Sequence, residues 1–333
     1  MPHTTKQAAR RRLTRGLILG AAAAAAVPLT GARVAHAQAQ GRTIRFIAPY
    51  TPGGVVDNTS RVVGERMSRE LGQPIVIENR AGANGQIGTE MVAKAAPDGL
   101  TLLLTSVGVA YRQHLVRLPY DPFRDLVPVS LLVINPLLIV ANPKLPVTNL
   151  RELVDHGRRN GLRYGSSGTG GPSHLTTELL RLKTGIEMTH VPYKGDSAAI
   201  VDVMAGNVDL SVSSVSATTG LIRQGRLRAI AMTSEQRSAA LPEVPTTAEA
   251  GVPGVVGDSW VGILAPAGTS ADAVRRLHAA AVASLADPAV REKLIAAGNT
   301  IIGNTPQEFA TFLRNESDKW AEVIRTSKIT VES

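Results

Sequence analysis

Cysteine is absent from this chain of 333 residues, and aromatic residues make up only 3% of it. Without thiols there is no disulfide framework, no thiolate metal site and no cysteine nucleophile, so stability has to come from burial. Nucleic-acid binding calls for a basic face interleaved with stacking aromatics, which this composition does not supply. Long apolar runs are missing too: the run 17–27 has 11 residues, whereas a bilayer span needs about 20. None of the glycine-rich turns is followed by the lysine and hydroxyl residue of a phosphate-binding loop. No Gly-x-Ser-x-Gly elbow occurs, and His114, His156, His174, His190 and His278 show no His-Glu-x-x-His spacing. Hydrolase, nucleotide-handling and metalloenzyme readings therefore lack their chemistry, no cofactor is implied, and a non-enzyme is expected.

What is present begins with an export pattern over residues 1–37. Arg10-Arg11-Arg12-Leu13 forms a positive segment resembling a twin-arginine signal, residues 17–27 are apolar, and Ala35-His36-Ala37 offers a cleavage site. A Sec route stays open, because Leu13 stands where phenylalanine is usual. Either route predicts a protein exported to the periplasm and cut near Ala37. Of the 36 basic residues, Lys6, Arg10, Arg11, Arg12, Arg15 and Arg33 lie in this segment, leaving 30 against 27 acidic residues and reducing the net charge from +9 to +3. About 296 mature residues suffice for one large domain or two moderate ones.

From residue 44 onward, short apolar runs alternate with amphipathic ones. Strands are predicted over 44–48, 75–77, 100–105, 163–165, 188–191, 209–212, 227–232 and 260–265, with helices over 57–71, 87–95, 150–159, 173–184, 197–205, 271–285, 288–297 and 306–324. This α/β alternation predicts mostly parallel sheets flanked by helices. Proline-rich breaks at Asn142-Pro143-Lys144-Leu145-Pro146 and from Leu241 to Pro253 divide the chain. We read lobe 1 as 41–141 plus 258–333 and lobe 2 as 142–257, with a ligand cleft between them. Three glycine turns join a strand to a helix: Pro52-Gly53-Gly54-Val55-Val56-Asp57, Gly82-Ala83-Asn84-Gly85-Gln86-Ile87-Gly88, and Gly165-Ser166-Ser167-Gly168-Thr169-Gly170-Gly171. Helix starts of this kind offer free N–H groups that hold anions, so the three together point to a small carboxylate.

Six segments in order, Tyr50-Thr51-Pro52-Gly53-Gly54, Glu78-Asn79-Arg80-Ala81-Gly82, Ala96-Pro97-Asp98-Gly99-Leu100, Gly168-Thr169-Gly170-Gly171-Pro172, His190-Val191-Pro192-Tyr193-Lys194-Gly195 and Trp260-Val261-Gly262-Ile263-Leu264-Ala265-Pro266, resemble the Bug, or TctC-type, extracytoplasmic solute receptors of tripartite tricarboxylate transporters. The resemblance spans nearly the whole mature chain. It implies a two-lobed, type II-like periplasmic binding protein, expected to be monomeric, that closes on a small organic carboxylate. Delivery is to a membrane permease or, alternatively, the receptor signals to a sensor kinase.

Position by position, the resemblance implies that Tyr50, Pro52, Gly53, Gly54 and Asp57 of the first turn face the ligand, partly through water. Asn84, Gly85 and Ser106 join them from lobe 1. Lobe 2 supplies Ser166, Ser167, Gly168, Thr169, Gly170 and Tyr193. Asp57 either caps the following helix or meets a hydroxyl, amine or water of the ligand. His174 either donates to the ligand or ties the glycine loop to its helix. Arg80 and Lys194 lie near the cleft as ligand partners or as solvated charges. Many relatives carry an aspartate where this chain has Ser211-Val212-Ser213-Ser214. Its loss argues against an amino acid, whose buried ammonium needs an acid, and leaves Ser213 or Ser214 to reach a hydroxyl or second carboxylate of a mono-, di- or tricarboxylate.

Overall fold

Short β-branched runs and long amphipathic ones become strands and helices largely where their periods place them. The computed structural model describes residues 42–331; the expected export segment lies outside them. The strands in chain order are β1 (Ile44–Ala48), β2 (Ile75–Asn79), β3 (Thr101–Thr105), β4 (Leu126–Asn135), β5 (Leu137–Ala141), β6 (Leu162–Ser166), β7 (Met188–Pro192), β8 (Leu210–Ser214), β9 (Arg228–Met232), β10 (Ser259–Pro266) and β11 (Thr300–Ile301). The helices are α1 (Val55–Leu71), α2 (Gln86–Ala93), α3 (Gly108–Tyr111), α4 (Leu150–Asn160), α5 (Pro172–Thr184), α6 (Asp196–Ala205), α7 (Val215–Arg223), α8 (Ala271–Ala286), α9 (Pro288–Ala296) and α10 (Pro306–Thr326).

The strands form two sheets, ordered β11-β4-β10-β3-β1-β2 and β7-β6-β8-β5-β9. β1 pairs in parallel with β2 and β3, and β6 with β7 and β8. These are the expected βαβ units; the inner strands β1, β3, β6 and β8 are largely buried, whereas the edge strands β2 and β7 are partly exposed. The remaining pairs are antiparallel, so the sheets are mixed where mostly parallel ones were expected. The cause lies in the chain path: β4 leaves the first sheet and β10 returns to it, so the two must run in opposite directions, with Asn135 opposite Ser259.

The path also corrects the expected boundary. β5, placed by sequence at the end of lobe 1, pairs with β8 and β9 in the second sheet. The outward crossing is at Pro136, which has no N–H for either ladder, and the return is at Asp258. The Asn142–Pro146 break is instead a turn at the far end of β5, where the Asn142 amide donates to the Val203 carbonyl at 2.6 Å. Three apolar clusters hold the fold. One joins α1, α8 and α9 to the first sheet, one lies under α6 and α7 in the second, and the third spans both sheets through α10. α10 begins with a reciprocal Thr305–Glu308 capping box and Pro306 in its first turn. It packs on β4 and α3 in one lobe and on α5 in the other.

Candidate functional site

The strands β1 and β3 in one lobe and β6 in the other end toward the same interlobe cavity of about 410 Å³. Tyr50, Thr51, Gly54, Val55, Val56, Asn84, Ser106, Val107, Gly108, Tyr111, Arg112 and Ser259 line it from lobe 1, and Ser167, Gly168, Thr169, Gly170, Gly171 and Pro172 from lobe 2. No aspartate or glutamate is among them. A second cavity, of about 520 Å³, lies at the crossing segments; Glu235, Asp258, Glu316 and Lys319 are among its lining residues, with Glu316 ion-paired to Lys319.

α1 starts at Gly54 with extended backbone and no side-chain cap. The amide of Gly53 donates to Asp57 at 2.9 Å, whereas those of Gly54, Val55 and Val56 meet no acceptor among the described residues. Asp57 does not line the cavity. Its buried carboxylate also accepts from Arg61 and Asn79, both at 2.9 Å. Burial opposes its ionisation, but the hydrogen bonds from Arg61, Gly53 and Asn79 outweigh this and hold the carboxyl below its ordinary range. Asp57 thus secures the first turn from behind. Pro52 and Gly53 also lie outside the lining.

Asn84 lines the cavity, and Gly85 sits behind Tyr50: with φ +92°, a Cβ there would lie 3.2 Å from the Tyr50 ring. Burial raises the Tyr50 phenol above its usual pKa, opposed by a hydrogen bond with Thr105 and by the charge of Arg112. Ser106 reaches Ser259 at 3.1 Å.

The second-lobe loop is more self-contained than expected. Its amides at Ser167, Gly168, Gly170 and Gly171 donate to Ser173 Oγ, Ser166 Oγ, His174 Nδ1 and the Gly168 carbonyl, at 2.9, 3.2, 2.9 and 3.1 Å. Thr169 and the first-turn amides of Ser173 and His174 meet no acceptor among the described residues. α5 has Gly171 as its N-cap, without a side-chain cap, and Pro172 at its first turn. Open donors therefore remain at this helix start, although fewer than the loop's composition implied.

His174 is outside the lining and ties the loop to its helix. Its Nδ1 accepts from Gly170, which places the neutral ring's proton on Nε2. His174 stacks on His190 with centroids 3.8 Å apart, and His190 Nε2 lies 2.6 Å from Ser166 Oγ. Burial above all, then the charge of His190, push the His174 imidazole down to about 4. Ser166 is thus engaged behind the loop. The Tyr193 hydroxyl donates to Asp202 at 2.6 Å, Ser213 pairs with Ser211 at 2.7 Å, and Ser214 caps α7 through the Ala217 amide. None of these three lines the cavity. Arg80 pairs with Glu78 at 2.8 Å, and Lys194 is exposed.

Two titratable groups at the site carry no sequence motif. Arg112 lines the cavity, and its buried Nε has no partner among the described residues. Asp196, the first residue of α6, is hydrogen-bonded to Ser167, and its buried Oδ1 has no partner among the described residues; burial raises its pKa. The only signal for Arg112 was its place after β3, where the Ser106-Val107-Gly108 turn repeats the strand–glycine–helix pattern.

Residues 59–329 match the family model described as the tripartite tricarboxylate transporter family receptor, TctC. The chain is 39% identical over 289 residues to Protein BugT of Bordetella pertussis, covering 85% of this chain and 89% of that protein. Its fold superposes on R. palustris Rpa4515, solved with adipate, with a TM-score of 0.76, 35% identity and coverage of 87% and 98% of the two chains. MatC (Rpa3494) from Rhodopseudomonas palustris, solved with bound malate, gives a TM-score of 0.72 at 31% identity, covering 85% and 99%.

Proposed function

The chain belongs to the TctC family of tripartite tricarboxylate transporter receptors, and from that premise we propose that it captures a small organic carboxylate between its lobes and delivers it to a membrane permease. The work is done in the periplasm, after cleavage near Ala37. The observation that carries this reading is the cavity itself: it has no lining acid, and open amides at the starts of α1 and α5 meet it from different lobes. Anionic groups at a helix N terminus gain typically 0.3–1 kcal/mol, up to about 2 when partly buried, and a hydrogen bond to a charged group about 1.5–3. A few such contacts supply the roughly 8 kcal/mol of a micromolar complex after ordering costs. Residues 42–135 with 259–331 move as one lobe and 137–257 as the other, bending at Pro136 and Asp258. Nucleic acid and catalysis have no part in this scheme, and adipate and malate, found on relatives, are the first solutes to try.

Calorimetry of the purified protein against mono-, di- and tricarboxylates tests the proposal. Micromolar or tighter binding of at least one acid is expected, with aspartate weaker than malate because no acid lines the cavity to receive an ammonium. Silence across the whole panel would remove the reading, and tighter binding of aspartate would remove the preference for unaminated acids.

A further inference from the structure

Among the described residues, Arg112 is the one cation lining the cavity. Its guanidinium carries five N–H donors in a planar fork, and among the described residues none of them has a hydrogen-bond or ion-pair partner; Nε is buried outright. A half-buried cation without an acceptor is costly unless something that enters the cavity supplies one.

The neighbouring groups do not supply that charge. Tyr50, Tyr111 and Tyr120 lie close enough to feel Arg112, and burial raises all three phenols, so they remain neutral at physiological pH. Glu316, which faces Tyr111, is bound by Lys319 and by the Trp320 indole; Glu90, which faces Tyr120, is bound by Lys94. Asp196 is hydrogen-bonded to Ser167 and does not line the cavity.

The positive character of the cavity therefore sums to more than one charge. The starts of α1 and α5 each act as roughly +0.5 of a charge, and Arg112 adds a full one, giving about +2 with no lining acid to offset it. We propose that Arg112 is the specificity-determining residue of this receptor: it pairs with a second carboxylate of the solute, while the amides at the starts of α1 and α5 hold the first. This assignment rests on the carboxylate-receptor reading and narrows it to dianionic solutes.

The test compares glutarate and adipate with valerate and hexanoate, the monoacids of equal chain length, by calorimetry on the wild type, Arg112→Gln and Arg112→Lys. The wild type is expected to prefer the diacids by about ten- to a hundredfold, the range set by one charge-assisted pair. Arg112→Gln loses that preference while its monoacid affinity stays within about threefold, and Arg112→Lys, a point charge without the fork, falls between. Because the guanidinium has no hydrogen-bond or ion-pair partner among the described residues, unliganded Arg112→Gln is expected to melt no lower than the wild type, whereas an arginine with a structural role would lower the midpoint. A diacid preference that survives in Arg112→Gln overturns the assignment, as does a wild type that binds monoacids equally well, and both leave the carboxylate receptor standing. A wild type that binds none of the four and no other acid removes both.

Discussion

His174 holds its loop only while its ring is neutral, because Nδ1 must accept the Gly170 amide. The folded state keeps this imidazole at about 4, well below its ordinary 6.5, so between these values the unfolded chain binds more protons than the folded one. Stability is then complete above pH 6.5 and is lost as the pH falls toward 4, by about 3 kcal/mol if the whole shift is realised. Urea unfolding at pH 7 and pH 4.5 should show this loss in the wild type and a smaller one in His174→Gln; equal losses would contradict the role of His174. Residue types at this scale were readable, but their partners were not. Ser166 ends β6, and Ser167, Gly168 and Gly170 follow it on the loop, yet whether their polar groups face a ligand or one another depends on the rotamers of Ser173, His174 and His190, which composition does not set. Arg112 was invisible for a related reason: its meaning comes from the absence of a neighbour.

Strands and helices with strong periods were legible almost to the residue, including β1, α5 and α10. Elements fixed by their surroundings were not. α7 holds Ser216, Thr218, Thr219 and Gly220, all poor helix formers, and it forms because Ser214 caps it and Val215 and Thr218 are buried beneath it. β4 and β5 are two apolar segments joined at Pro136, and which sheet each joins is decided there. The loop before α5 also makes contact between lobes. Gly170 has φ +72°, and a Cβ there would lie 2.8 Å from Leu115 Cδ1, on the segment that follows α3. Gly170→Ala should weaken carboxylate binding about fivefold, from roughly 1 kcal/mol of backbone strain and crowding. Adding Leu115→Ala should restore part of this in calorimetry. An unchanged affinity in Gly170→Ala would show that this approach does not matter for closure.

For the whole molecule, two crossings at Pro136 and Asp258 permit bending, while α10 limits it by packing on both lobes. Lys319 on this helix donates to the Val256 carbonyl beside the return crossing at 3.1 Å, and Arg181 of α5 reaches Ser327 just past its end at 3.3 Å. In the proposed scheme, closure is a small rotation about a shared core that brings two helix starts to one solute. The two-lobed plan was legible because alternating periods and the six ordered segments extend through the chain; the crossing point was not, since one proline among apolar residues looks alike inside a lobe and between lobes. A crystal structure with bound adipate is the most direct measurement. Carboxylate oxygens are predicted within hydrogen-bonding distance, directly or through one water, of the Val55 or Val56 amide in one lobe and the Thr169 or Ser173 amide in the other. Adipate seated away from both helix starts, or touching one lobe alone, would contradict the account.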